Sequence, residues 1–381
     1  MIMSPTHRAR RSLAVASLLG VLAAAASAQS TIPQRLSDQA LWKLNAEFSE
    51  PSGYFRSDNL LSNETGFQAV IPALRERIKP GGVYLGVGPE QNFTYIVALQ
   101  PRIAFIIDIR RGNMIEHLMY KALIEMSADR AEFLSKLFSR VRPSGLDTSS
   151  TAEQLFAAYE TAVPDSALYQ RNLEAIRTFL TRSHGFAMGD SDVASLLHIY
   201  SAFFDAGPRI NYSYPYTGGF GRGMPNYTAL QTATDTLGKN WAYLATESNF
   251  RWLRDFESRN LLVPVVGDFG GPKAIRAVGR YVAVHHTVVS AFYTSNVEQY
   301  LFQTDSAWAR YYRNVATLPL DATSTFIRSI GGGFRRVVPP GVGSVRYGGR
   351  LASVTCSIQD LLAAFNDGRV RFYGDVIAMS R

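Results

Sequence analysis

The sequence predicts an α/β fold, a doubly wound and mainly parallel sheet with a helical insertion. Three observations predict it. Short continuous apolar runs at residues 83–87, 103–109, 261–266 and 287–293 have the composition of strands buried on both faces. Helical patterns follow them at 93–99, 113–140, 272–282 and 297–315, the alternation that builds parallel sheets. The 381 residues are 46% hydrophobic and 18% charged, enough apolar material for a large core, which excludes a disordered, collagen-like or multi-span membrane chain.

In chain order, residues 1–28 read as a signal peptide: a basic start with Arg8, Arg10 and Arg11, an apolar run, then Ala26-Ser27-Ala28 as a small-x-small cleavage site. The run is too short and alanine-rich to span a membrane. The mature chain is expected to start near Gln29, exported to the periplasm or medium, and Arg10-Arg11 resembles a twin-arginine signal for folded export. Residues 29–80 form an N-terminal segment with helices near 36–48 and 67–78 around a polar, turn-rich string. Residues 81–381 form the sheet domain. Ile115, Leu118, Met119, Ala122, Leu123 and Met126 recur at helical spacing, so 113–140 is expected to be one long amphipathic helix. Residues 142–258 show no strand signal and are read as a helical insertion over the carboxyl edge of the sheet, with helices at 152–162, 167–181, 193–204, 227–237 and 241–257. Within it, the tyrosine- and glycine-rich stretch 212–227 has the composition of a loop or lid. The tail is expected to add strands near 326–330, 353–356 and 370–373, and a helix at 358–365.

The chemistry concentrates where the first strand ends. Gly86 and Gly88 close that strand and open a helix, so the backbone can turn sharply and approach a ligand. Asp108 ends the next strand, 20 residues after Gly88, where a carboxylate can accept hydrogen bonds from ribose hydroxyls. Glu90 and Asn92 in the turn and Arg110 after Asp108 are the accompanying cofactor-site candidates. The third glycine of the dinucleotide fingerprint is missing, which argues against a nicotinamide or flavin site. No Gly-x-Ser-x-Gly elbow is present, which excludes the usual serine-hydrolase arrangement. The single cysteine, Cys356, and the scattered histidines offer no metal set, and adjacent His285 and His286 would point to opposite faces of a strand.

The glycine turn and strand-terminal acid resemble the first two motifs of class I S-adenosylmethionine-dependent methyltransferases. Together with the strings around Asp58-Asn59 and Glu64, Asp268-Phe269, and Tyr293 to Glu298, they resemble an uncharacterised bacterial family of methyltransferase-like (Rossmann) fold with a Leptospira representative, from about Phe48 to Leu301. The resemblance implies the fold, a crevice at the strand ends and S-adenosylmethionine as the cofactor. In that crevice Asp268, Asn296 and Glu298 are the catalytic candidates. Tyr54, Asp58, Asn59, Glu64, Phe269 and Tyr293 are the substrate-binding ones. Asn296 sits where amino-methylating enzymes place a polar residue, but Val297-Glu298-Gln299 follows in place of their Pro-Pro-Tyr. Asp268 also has a structural reading as the cap of the helix that follows.

Two functions remain open: an exported methyltransferase-like protein that binds S-adenosylmethionine or a related nucleoside, and a non-enzymatic binding protein on the same fold. Both expect a small-molecule ligand. Neither expects a nucleic acid, since the net charge of +8 falls to about +5 once the three leader arginines are removed. Neither expects a membrane partner after signal cleavage, and the sequence leaves the oligomeric state open.

Overall fold

The computed structural model describes residues 31–215, 223–331 and 351–381, so the expected leader and residues 216–222 of the tyrosine-glycine stretch lie outside the described residues. Among these, six strands form one sheet: β1 (Val83–Gly86), β2 (Ile103–Asp108), β3 (Leu262–Val266), β4 (Val289–Ser295), β5 (Thr325–Gly331) and β6 (Leu351–Ser357). Their order is β3-β2-β1-β4-β5-β6, parallel throughout except for the antiparallel β5–β6 edge. The four strands expected to be parallel neighbours are so. Val83, Tyr84, Leu85, Ile103, Ala104 and Phe105 are fully buried, because a parallel sheet takes helices on both faces and its strands meet no water.

Chain order sets the crevice. From β1 the chain steps outward to β2 and β3, then returns to lay β4 on the other side of β1. The connections leaving β1 and β4 therefore diverge, opening a gap at their carboxyl ends.

The helices before and between the strands are α1 (Asp38–Phe48), α2 (Ile71–Arg77) and α3 (Gln91–Leu99), the last joining β1 to β2. Leu41, Asn45 and Phe48 turn inward on α1, and Asn45 Nδ2 donates to the Pro264 carbonyl at 2.5 Å, docking the N-terminal segment on β3. The helix expected over 113–140 is two helices, α4 (Arg111–Glu125) and α5 (Arg130–Phe138). Asp129 leaves helical geometry and accepts from Glu132 N at 2.8 Å, so a capping residue inside an apolar period starts a new helix.

The insertion carries α6 (Ala152–Thr161), α7 (Ser166–Thr178), α8 (Asp190–Ala206), α9 (Tyr227–Thr232) and α10 (Glu247–Ser258). The last two are shorter than expected. Asp235 holds the intervening chain as a loop, accepting from Leu237 N, Lys239 N and the Trp241 indole. The insertion lies against α3 and α4, with Tyr243 edge-on to Phe93 and Phe203 edge-on to Tyr120. Buried Arg130 locks it there, donating to the carbonyls of Leu244, Ala245, Thr148 and Ser150 and to the Glu247 carboxylate.

Beyond β3 come α11 (Ala274–Val284), α12 (Val297–Leu301), α13 (Ala307–Val315), α14 (Ile358–Asn366) and α15 (Tyr373–Ala378). The helix expected over 297–315 is split by a turn in which Ser306 takes φ +59°. The strand expected at 370–373 does not form. Val370 is buried as a single plug, and α15 begins at Tyr373 with the Asp375 carboxylate accepting from Arg371 N and Phe372 N.

Candidate ligand cleft at the switch point

A cleft of about 370 Å³ opens where β1 and β4 diverge. Its floor is the turn after β1. Gly88 has φ +78°, a conformation that side-chain-bearing residues adopt at a cost, and it borders the cleft. Gly86 does not. A Cβ there would collide with the Asn92 carboxamide, so this glycine serves packing beneath the turn.

Asn92 is likewise not a cleft residue. Its Nδ2 donates to the carbonyls of Val87 (2.9 Å), Gly88 (3.3 Å) and Pro89 (2.8 Å), and its Oδ1 accepts from Tyr84 OH at 2.8 Å. Fully buried, it laces the turn into shape. His117 reinforces it from α4, its Nε2 lying 2.8 Å from the Gly88 carbonyl. Burial lowers the His117 pKa to about 4, so at neutral pH the ring is uncharged and donates to that carbonyl. Glu90 turns away behind the loop toward Tyr227 and Tyr243. Burial raises its carboxyl to about 8, and neither oxygen has a partner.

Asp108, at the end of β2, borders the cleft and is held by its neighbour. Its Oδ1 accepts from Arg110 N (2.9 Å) and Nε (3.1 Å), and its Oδ2 from Arg110 Nη2 (3.1 Å). A carboxylate offers about four lone-pair directions, so three are occupied. The same guanidinium donates from Nη1 to the Asp58 carbonyl, tying the N-terminal segment across the rim. The Asp58 carboxylate itself points elsewhere, to His198 Nε2 at 2.9 Å, and does not border the cleft. Tyr54 and Asn59 of the same segment do.

The β3 side supplies Asp268 and Phe269. Asp268 accepts from Gly270 N at 2.9 Å and does not cap α11. Glu50 does, its carboxylate accepting from Lys273 N (2.7 Å), Ala274 N (2.9 Å) and Asp268 N (3.2 Å). Phe269 stacks on Tyr311, 5.3 Å between centroids, and forms a buried apolar wall.

From the β4 side Ser295, Asn296 and Tyr300 reach the cleft. Glu298 does not. It is buried in an ion pair with Arg328, with Nη2 to Oε1 at 3.1 Å, and accepts from Tyr312 OH at 2.7 Å. Its expected catalytic role is replaced by a structural one, because one turn of helix carries the side chain from the strand end into the core. Tyr293 lies under the floor, accepting from Gln91 Nε2 at 3.0 Å and donating to Glu64 Oε1 at 2.7 Å. Glu64 borders the cleft almost wholly buried. Burial raises its pKa, while hydrogen bonds from Ser295 and Tyr293 pull the other way.

The structure thus brings Tyr54, Asn59, Glu64, Gly88, Asp108, Arg110, Asp268, Phe269 and Asn296 to one cleft. It leaves Gly86, Glu90, Asn92, Asp58, Tyr293 and Glu298 outside the lining. Gln91, Arg310, Phe55 and Tyr212 border it unannounced by any motif; Gln91 alone had a local signal, its place in the glycine turn. Of the insertion's described residues, Tyr212 reaches the cleft.

Among the described residues no group of three His, Cys, Asp or Glu side chains is arranged to hold a metal ion, and no helix is long and apolar enough to cross a membrane.

Sheet order and crevice are compatible with a Rossmann-like α/β protein. Residues 60–347 match a family described as a domain of unknown function (DUF7790), and the chain belongs to that family. None of the curated proteins compared with it matches.

Proposed function

We propose that the protein is an exported, methyltransferase-like protein that binds S-adenosylmethionine or a related nucleoside at the switch-point cleft. The observation carrying this reading is the meeting of the Gly88 turn and Asp108 on adjacent parallel strands at one cleft. The residues present fit such a group. The volume of about 370 Å³ lies within the range of small-molecule sites. Gly88 keeps the floor free of a side chain, Val87, Ile109 and Phe269 offer apolar contact to a base, and Asp108 retains a lone pair for a ribose hydroxyl.

When bound, the cofactor would supply an electrophilic methyl group. This chain's residues would orient donor and acceptor in line. Arg110 holds the Asp108 carboxylate in place and closes the N-terminal segment over the rim. Asp268, from the β3 side, and Asn296, from the β4 side, are further polar groups of the lining. Export of a folded, ligand-loaded chain reconciles a leader peptide with a cofactor made in the cytoplasm.

Calorimetric titration of the mature protein with S-adenosylmethionine and S-adenosylhomocysteine tests the reading. Binding is expected, weakened about tenfold to a hundredfold in Asp108→Ala, the loss of hydrogen bonds to a charged group. Absence of binding by folded wild type at millimolar ligand overturns it and leaves the cleft to another small polar ligand, the non-enzymatic alternative.

A further inference from the structure

Among the described residues three of the six buried glutamates have a basic partner: Glu298 faces Arg328, Glu247 faces Arg130 and Glu257 faces Lys121. Glu64 has none. Its neighbours are the hydroxyls of Tyr293 and Ser295, which both donate to Oε1, and that of Ser329, which also favours the charged form; Oε2 accepts no hydrogen bond of normal geometry. The titratable groups around it, Tyr84, Tyr95, Tyr293 and Tyr373, have pKa values raised by burial and carry no compensating positive charge. Glu90 and Glu116 also lack hydrogen-bond partners, but neither borders the cleft; Glu64 does.

Gln91 presents a second orphan acceptor beside it. Because Tyr293 OH gives its proton to Glu64, its oxygen can only accept from Gln91, which fixes the amide with Nε2 toward the tyrosine. Gln91 Oε1 is left buried and unpartnered at the cleft floor. A carboxyl oxygen and an amide oxygen without donors, bound through one tyrosine, match a group that donates several hydrogen bonds and carries positive charge.

We infer that the cleft floor at Glu64 and Gln91 is a subsite for a primary ammonium group on a small ligand. The inference rests on reading this cleft as the ligand site, and it names the chemistry of one end of that ligand. Burial raises the Glu64 pKa, and an arriving ammonium supplies the missing counter-charge that favours the carboxylate, any proton Glu64 holds passing to solvent. Ammonium N–H groups then reach Glu64 Oε2 and Gln91 Oε1. The aromatic wall of Phe55, Tyr300 and Phe269 accommodates an apolar stem.

The test titrates the mature protein with 2-phenylethylamine and 2-phenylethanol, a pair alike in shape that differs in the charged donor. The amine is expected to bind roughly tenfold tighter, as a charge-assisted hydrogen bond provides. Glu64→Gln should abolish the preference, and Gln91→Met, which keeps length but removes the acceptor, should reduce it. Equal affinities, a preference under threefold, or one that survives both substitutions overturns the inference. Adenosine titrated in parallel separates the two readings. If adenosine binds and the amine is not preferred, the ammonium subsite falls alone; if the amine is preferred and adenosine does not bind, the nucleoside reading falls alone.

Discussion

Glu298→Gln replaces a carboxylate by its neutral isostere in the dry core between β5 and α13. The Glu298 and Arg328 side chains are 1% and 0% exposed. Arg328 donates through Nε and Nη2 to this one carboxylate and stands 4.5 Å above the Phe326 ring. The variant keeps the Tyr312 hydroxyl contact but strands an uncompensated guanidinium away from water. Removing one partner of a buried pair costs about 3–5 kcal/mol, a large part of the roughly 5–15 kcal/mol that stabilises a domain. Without residues 1–28, the expected leader, roughly 350 of the 381 residues remain. At about 2.1 cal/mol/K per residue the unfolding entropy is about 0.7 kcal/mol/K, so Tm should fall by about 4–7 °C. Urea unfolding and thermal melts of the mature protein measure this. Arg328→Met and the double variant Glu298→Leu/Arg328→Met supply the coupling energy, the double being less damaging than Glu298→Gln. A loss under about 1 kcal/mol at unchanged m-value would refute the reasoning. The same variant, while folded, should bind any cleft ligand within twofold of wild type, which separates a structural from a catalytic glutamate.

Gly88→Val forces a β-branched residue to φ +78°; stability should fall by about 1–2 kcal/mol in chemical denaturation, and cleft binding should be lost with it. A variant that binds normally would exclude the turn from the site. His184 lies between Asp38 (Nδ1 to Oδ1, 2.6 Å) and Glu125 (Nε2 to Oε2, 3.6 Å). Burial opposes its charge, but the two carboxylates outweigh that and raise its pKa above 6.5. Its contribution is therefore full below about pH 6.5 and lost as pH rises through the higher folded-state pKa. Asp38 and Glu125 are net lowered in spite of burial, by hydrogen bonds to His184, so their contributions vanish only as acid passes below their ordinary range. Denaturation at pH 6 and pH 9 should show wild type losing its advantage over His184→Gln at the higher pH; a constant difference would contradict the ion-pair assignment.

Much of the architecture was legible because the signals are local. Continuous apolar runs of strand length can be satisfied only by burial on both faces, and four of them became parallel neighbours. The placing of Gly88 and Asp108 beside one cleft followed from strand ends and turn chemistry alone. Helix lengths were less legible: Asp129 and Asp235 each interrupt an apolar period, and a short polar side chain that bonds its own backbone outcompetes the period over a few residues.

What the sequence by itself determined is the alternation of strands and helices, the sharp glycine turn and the acid after it. Tertiary structure alone decided which polar side chains face the cleft. Glu50 caps α11 from more than 200 positions away. Arg110 clamps Asp108 and the N-terminal segment together. Asn92 and Glu298, placed by motif spacing in the site, are taken by the Val87–Pro89 carbonyls and by Arg328. Glu64 and Gln91 become one pair only through Tyr293, on a strand about 200 residues later. The reason is physical. Backbone periodicity is a property of neighbours in sequence, whereas a buried polar group must find its partner wherever the packed chain brings one, and spacing carries no record of that.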